Sequence, residues 1–205
     1  MSKFVSRILA AVVATAALAS FASAAPSNWS VDAAHSEVGF EVKHIFSLVR
    51  GVFREAQGTI VFDDANPANI KVDASVQTAS VNTGNDKRDG HLKGTDFFDA
   101  EKNPTISFKS TKVTAAGKNK YKVTGDFTMH GVTKSVTFDA EFLGAGAVGV
   151  GGQSWGSKAG FIASATINRK DFGIVWNKTL DNGGLMLGDD VKINLNIEAN
   201  AAETK

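Results

Sequence analysis

The chain is 205 residues long, with 22 Lys and Arg against 21 Asp and Glu and a formal net charge of +1. So even a balance argues against nucleic acid as a partner, since phosphate binding calls for a basic face. The chain has no Cys, which excludes disulfides, thiolate catalysis and Cys-based metal or cluster sites.

Lys3 and Arg7 precede an apolar run from Ile8 to Phe21, followed by Ala22-Ser23-Ala24. This is the pattern of a secretory signal peptide over residues 1–24, cut after Ala24. The run is shorter than the roughly 20 residues a spanning helix prefers, and no later segment is long and apolar enough to cross a bilayer as a helix. Loss of Lys3 and Arg7 turns the formal charge from +1 to −1. Residues 25–205 then form one exported domain, large enough for its own core.

From there the dominant pattern has period two. Val38, Phe40 and Val42 alternate with polar or small neighbours, as do Ile70, Val72, Ala74 and Val76. Val136, Phe138, Ala140 and Phe142 repeat the pattern, and Val191, Ile193, Leu195, Ile197 and Ala199 repeat it again. Period two marks strands with one buried and one wet face. Strands are predicted near 28–33, 36–43, 49–54, 57–64, 69–77, 105–113, 119–129, 132–143, 157–168, 172–176 and 189–199. Gly131 signals a hairpin between two of them. One short helix is predicted over Asn85–Leu92, with Asn or Asp as its N-cap. Together with Gly94–Pro104 it forms a long connection, and long connections are often functional.

A chain of this kind buries its apolar faces in a sandwich or a closed barrel. The polar faces carry Lys71, Asp73, Lys122, Asp126, Asp139, Glu141, Lys192 and Glu198, which argues against an outer-membrane barrel. Among the aromatic residues, Phe (14) outnumbers Trp (3) and Tyr (1). Phe has no polar handle, so the bias suits a dry interior. The inward faces mix Ala74, Gly125, Ala140, Ala163 and Ala165 with Phe40, Phe62, Phe108, Phe138, Phe142 and Phe161. Small residues opposite rings either leave a channel or interdigitate into a filled core, and alternation alone leaves both open.

Two motifs match catalytic spacings. Gly144–Gly149 fits G-x-G-x-x-G, but no helix start follows, so the stretch through Gly152 reads as a flexible hairpin loop. Gly152–Gly156 fits the G-x-S-x-G of a hydrolase around Ser154, but it lacks a strand-turn-helix setting and no His follows it. The four His residues, His35, His44, His91 and His130, have no metal-site spacing. They read first as hydrogen-bonded structural residues at strand ends. Lys87–Lys93 with Phe97-Phe98 sets three cations and a His beside two rings. That suits a mouth where an anionic head group meets an apolar tunnel, and equally a solvated helix whose Phe pair plugs the barrel.

The same residues resemble a known family. Asp32–Ser36, Val38-Gly39-Phe40 and His44 look like the opening of the YceI-like family. Arg88–Lys93, Phe97-Phe98-Asp99, Asn103–Ser110, His130–Lys134, Asn168–Gly173 and Gly188–Val191 continue the pattern in order. The resemblance spans essentially the whole mature chain. It implies an all-β, lipocalin-like, extended antiparallel barrel of about eight strands in the periplasm, with a short helix in a long connection. It also implies a long apolar molecule, such as a polyisoprenoid or isoprenoid quinone, bound inside, and no agreed enzymatic reaction.

On this reading the ligand-lining residues are Val38, Phe40, Phe62, Phe97, Phe98, Phe108, Phe138, Ala140, Phe142, Phe161, Ala163, Phe172 and Trp176. Arg88, His91 and Lys93 are the head-group candidates. No catalytic residue, metal or cofactor is expected besides the bound isoprenoid lipid, and the oligomeric state, a dimer included, stays open. The alternative is a metal- or redox-linked stress-response protein built on the four His residues, without a lipid cargo.

Overall fold

The computed structural model describes residues 27–202. The predicted signal peptide and its cut after Ala24 lie outside the described residues. The strands are β1 (Ser27–Val31), β2 (Glu37–His44), β3 (Ser47–Phe53), β4 (Ala56–Phe62), β5 (Lys71–Gln77) and β6 (Val81–Asn82). After the helix α1 (Asp86–Lys93) come β7 (Thr105–Gly117), β8 (Lys120–Met129), β9 (Val132–Val150), β10 (Gln153–Asn168) and β11 (Leu187–Ala201).

They form one antiparallel sheet that closes on itself. β11 pairs with both β1 (Val31 opposite Ala199) and β2 (Val38 opposite Leu195), so β1 and β2 are two halves of one bent strand. β3 pairs with β2 and β4 with β1, so β3 and β4 form a second. β5 follows β4 and β6 follows β3, which makes a third. With β7 to β11 they complete a closed eight-stranded barrel.

The three bends lie side by side. At each one the hydrogen-bond ladder is continued by other groups. The Ser36 hydroxyl both donates to the Glu198 carbonyl and accepts from its N–H, each at 3.1 Å. Arg54 N donates to Ser80 O at 3.1 Å, and Gln77 N to Glu55 O at 2.9 Å. Outside the first bend Lys158 Nζ lies 3.2 Å from Asp32 and 3.3 Å from Glu198. Hydrogen bonds from His35 and Lys158 hold the Asp32 carboxyl far below the usual carboxylate range.

The β8–β9 hairpin turns through His130 (φ 52°) and Gly131 (φ 74°). Two successive positive φ values are the type I′ geometry that a tight hairpin prefers. The helix starts where Asn85 caps it, its side chain accepting from Arg88 N at 3.0 Å.

Two expectations are corrected. Most of the Gly-rich stretch Gly144–Gly152 is not a loop: only Gly151 and Gly152 form a turn, and Gly144–Val150 are strand. β9 runs on to Val150 and pairs with β10 in a hairpin arm that continues past the last β8–β9 pair, Lys120 with Glu141. Gly and Ala carry no alternation signal, so backbone pairing here leaves no trace in the sequence. Residues 172–176 are not a strand either. Arg169–Phe172 form a 3-10 turn, and residues 173–177 belong to no strand. The Arg169 side chain takes the carbonyls that a neighbouring strand would have bonded.

One end of the barrel is packed shut. Phe62 stacks at 4.3 Å on Phe142, 5.6 Å from Phe161 and 5.8 Å from Tyr121. Each such pair contributes about 0.5–1.5 kcal/mol beyond its burial. Burial, together with the 2.6 Å hydrogen bond from the Tyr121 hydroxyl to Asp64, pushes the phenol up to about 12. Ala140 and Ala163 sit opposite each other in register, with Tyr121 opposite Ala140 on the other side. Their small side chains leave room for the rings, so in this half the interdigitating alternative holds.

Candidate functional site

The other end holds a cavity of about 480 Å³, within the roughly 300–1,000 Å³ of ligand sites. Its wall comes from the hairpin of β2 and β3, the start of β7, the ends of β8 and β10, and the start of β11. Helix α1, Phe97-Phe98 and residues 174–187 complete it at the rim.

The wall is almost all hydrocarbon and ring. Val38, Phe40 and Val42 face inward on alternate positions of β2, as their period requires. The Phe40 ring lies over Gly51, its cross-strand partner, where any Cβ would collide with it. Rings continue along the wall, with Phe40 5.8 Å from Phe53 and Phe53 5.7 Å from Phe98.

At the rim His91, Phe97 and Trp176 form a triangle of rings with centroids 4.9–5.2 Å apart. His91 Nε2 lies 2.9 Å from Asp96. Trp176 is held from behind by Arg169, a buried cation that donates to the Ile174 and Trp176 carbonyls at 2.8 Å and to Gly188 O at 2.9 Å. Burial lowers the guanidinium pKa, and the adjacent Asp189, 3.1 Å away, opposes that shift.

The cations of α1 are positioned by the turn before it. Arg88 Nε donates to Thr83 Oγ1 at 2.7 Å and Nη2 to Thr83 O at 2.9 Å. The buried Asp89 carboxylate accepts from both Thr83 N–H and hydroxyl. Arg88 and Lys87 both border the cavity. A guanidinium has five N–H groups, so two bonds to Thr83 leave it donors for an anion.

The structure therefore divides the predicted residues. Val38, Phe40, Phe97, Phe98 and Trp176 line the cavity, with Arg88 and His91 at its edge. Phe62, Phe108, Phe138, Ala140, Phe142, Phe161, Ala163 and Phe172 do not. The reason is depth along the barrel. Phe62, Phe142 and Phe161 fill the closed end, and Phe108 packs on Phe138 at 5.1 Å. Phe172 is buried edge-on against Phe127, under the Arg169 turn. Lys93 ends α1 away from the cavity, and Lys87 borders it instead. Phe53, Ile106, Phe127, Met129, Ile167 and Met186 are lining residues that the sequence reading missed. Alternation could have flagged Phe127 and Met129, which share a face of β8.

The four His residues do not gather. His35 joins Asp32 and Glu198, His130 Nδ1 lies 3.0 Å from Phe172 O, and His44 and His91 lie on different elements of the cavity wall. Among the described residues the one group with metal-ligand proximity is Asp32, His35 and Glu198. The Lys158 ammonium already bridges its two carboxylates. Ser154 sits on the exposed β9–β10 arm, accepting from Gly156 N.

A closed eight-stranded antiparallel barrel, packed at one end and hollow and apolar at the other, is a lipocalin-like barrel with a ligand-sized cavity. The chain matches the YceI-like domain over residues 29–199, and it belongs to that family. It is 39% identical over 170 residues to a UPF0312 protein of Photorhabdus laumondii, covering 81% of this chain and 85% of that one. The crystal structure of Burkholderia cenocepacia BcnA shares 27% identity at a TM-score of 0.73, over 83% of this chain and 99% of that chain. A polyisoprenoid binding domain from Saccharophagus degradans shares the fold at 16% identity and a TM-score of 0.60, covering 85% and 98%.

Proposed function

We propose that this protein is an exported, periplasmic carrier that holds the chain of an isoprenoid-type lipid in the hollow end of its barrel. The observation that carries the reading is the cavity of about 480 Å³ with an apolar wall and its cations confined to one rim. Burying one isoprene unit contributes a few kcal/mol at about 0.8 kcal/mol per CH₂-sized group, before ordering costs. A few units therefore give tight binding with no polar contact, and a barrel wall needs no catalytic group for that task. The Saccharophagus domain, called polyisoprenoid binding, is alike in fold, and this adds support at the level of architecture. The head group of the cargo lies near Arg88, Lys87 and His91.

Fluorescence titration with a dansyl-labelled isoprenol and its pyrophosphate tests the reading. Wild-type protein binds both. Replacing Arg88 and Lys87 by Ala weakens the pyrophosphate more than the alcohol. Equal loss for the two removes the head-group assignment, and no binding of either removes the carrier.

A further inference from the structure

The tip of the β2–β3 hairpin is built against its own stability. His44 and Ser47 pair, so Ile45 and Phe46 make the whole turn. Ile45 is forced to φ 53°, a region that β-branched residues avoid. Phe46 beside it is 92% exposed. Neither choice serves the core, and a turn of Asn and Gly would remove both costs.

The tip is joined to a second apolar loop. Ile45 N donates to Met186 O at 2.8 Å, and His44 pairs with Leu187. Leu185 (53% exposed) therefore lies on the same rim as Phe46, with Leu48 (50%) on the hairpin itself. His44, Met186 and Leu187 are cavity-wall residues, so the exposed patch runs into the cavity lining. Lys43 is the cross-strand partner of Leu48, Lys87 borders the cavity, and Lys178 O accepts from Met186 N. Among the described residues none of these three lysines is in an ion pair. Residues 43–50 contain no acid, and Asp181 is the single acid of residues 177–187.

We infer that this rim docks on a phospholipid bilayer, with Phe46, Leu48 and Leu185 inserted at the interface and the lysines meeting anionic head groups. Aromatic and aliphatic tips flanked by cations bind membrane surfaces by the sum of apolar burial and head-group attraction. The assignment rests on the carrier reading for its purpose: with the far end packed by rings, an apolar cargo leaves through this rim, and docking spares it a passage through water.

Flotation with phosphatidylethanolamine–phosphatidylglycerol vesicles tests it, beside transfer of a dansyl-labelled isoprenol from those vesicles and binding of the same probe delivered from ethanol. The variant F46D/L48S loses about tenfold or more in vesicle binding and transfer rate, as expected for removing two inserted side chains. Its affinity for the ethanol-delivered probe stays at the wild-type level, which also reports an intact fold. W155S, on the hairpin arm at the opposite end, floats like wild type. Wild-type protein that does not float, or F46D/L48S that floats and transfers like wild type, overturns the docking. So does a patch that proves to hold two copies together in solution, indifferent to vesicles. Vesicle binding lost in F46D/L48S while neither protein takes the ethanol-delivered probe supports the docking and removes the carrier reading instead.

Discussion

Arg169 donates to the Trp176 carbonyl at 2.8 Å, and that bond fixes the rim of the cavity. The same nitrogen holds Ile174 O, so one buried side chain ties down the segment that closes over His91 and Phe97. Replacing Arg169 by Met leaves three carbonyls without their donor and should cost about 3 kcal/mol. Arg169→Lys keeps the charge but not the planar fork, and should lose most of the same stability. Chemical denaturation measures both. Equal stability of either variant and wild type would show that the loop is held by other contacts.

The hollow end should accept a larger side chain. Val38→Trp adds an indole to a wall residue facing open space, so the variant should keep or raise its melting temperature while isoprenoid binding falls. Ala140→Phe is the opposite case. It forces a ring into the packed end and should cost about 1–3 kcal/mol while the folded fraction still binds. Thermal melts with parallel titrations separate the two. Full binding by folded V38W would mean that the chain lies elsewhere.

Acid should unfold the protein through a few identified carboxylates. Hydrogen bonds from His35 and Lys158 lower Asp32, those from Asn69 and Asn66 N lower Asp63, and Lys170 lowers Asp189. Each folded pKa lies below the ordinary 3.8. Their stabilisation is therefore present above that value and is lost as pH falls through the folded pKa values. Denaturant midpoints should hold from about pH 7 down to about pH 4 and then drop. Lys158→Met should lower the midpoint at neutral pH, and the deficit should shrink once Asp32 is protonated. A deficit independent of pH would assign Lys158 to packing.

The barrel was legible where side chains alternate. Val191 to Ala199 and Val38 to Val42 are strands with the predicted faces inward. The Asn85-capped helix was legible from its cap. The β9–β10 arm was not, because Gly and Ala present no faces to alternate. The bends were not either, since Ser36 continues the β11 ladder with a side chain. Alternation reports which way a ring points but not how far along the barrel it lies. So Phe40 and Phe142 looked alike in sequence, although one lines the cavity and the other plugs the closed end. Lys87 and Lys93 differ by less than two helical turns, and only the seat of α1 on β6 and its Thr83–Asp89 bonds decides which borders the cavity.

Mass spectrometry of the intact protein, purified without detergent and then extracted with solvent, tests the central claim most directly. A stoichiometric adduct that releases an isoprenoid is the predicted result. A clean apo mass, with no uptake of added isoprenoid lipid, would contradict it.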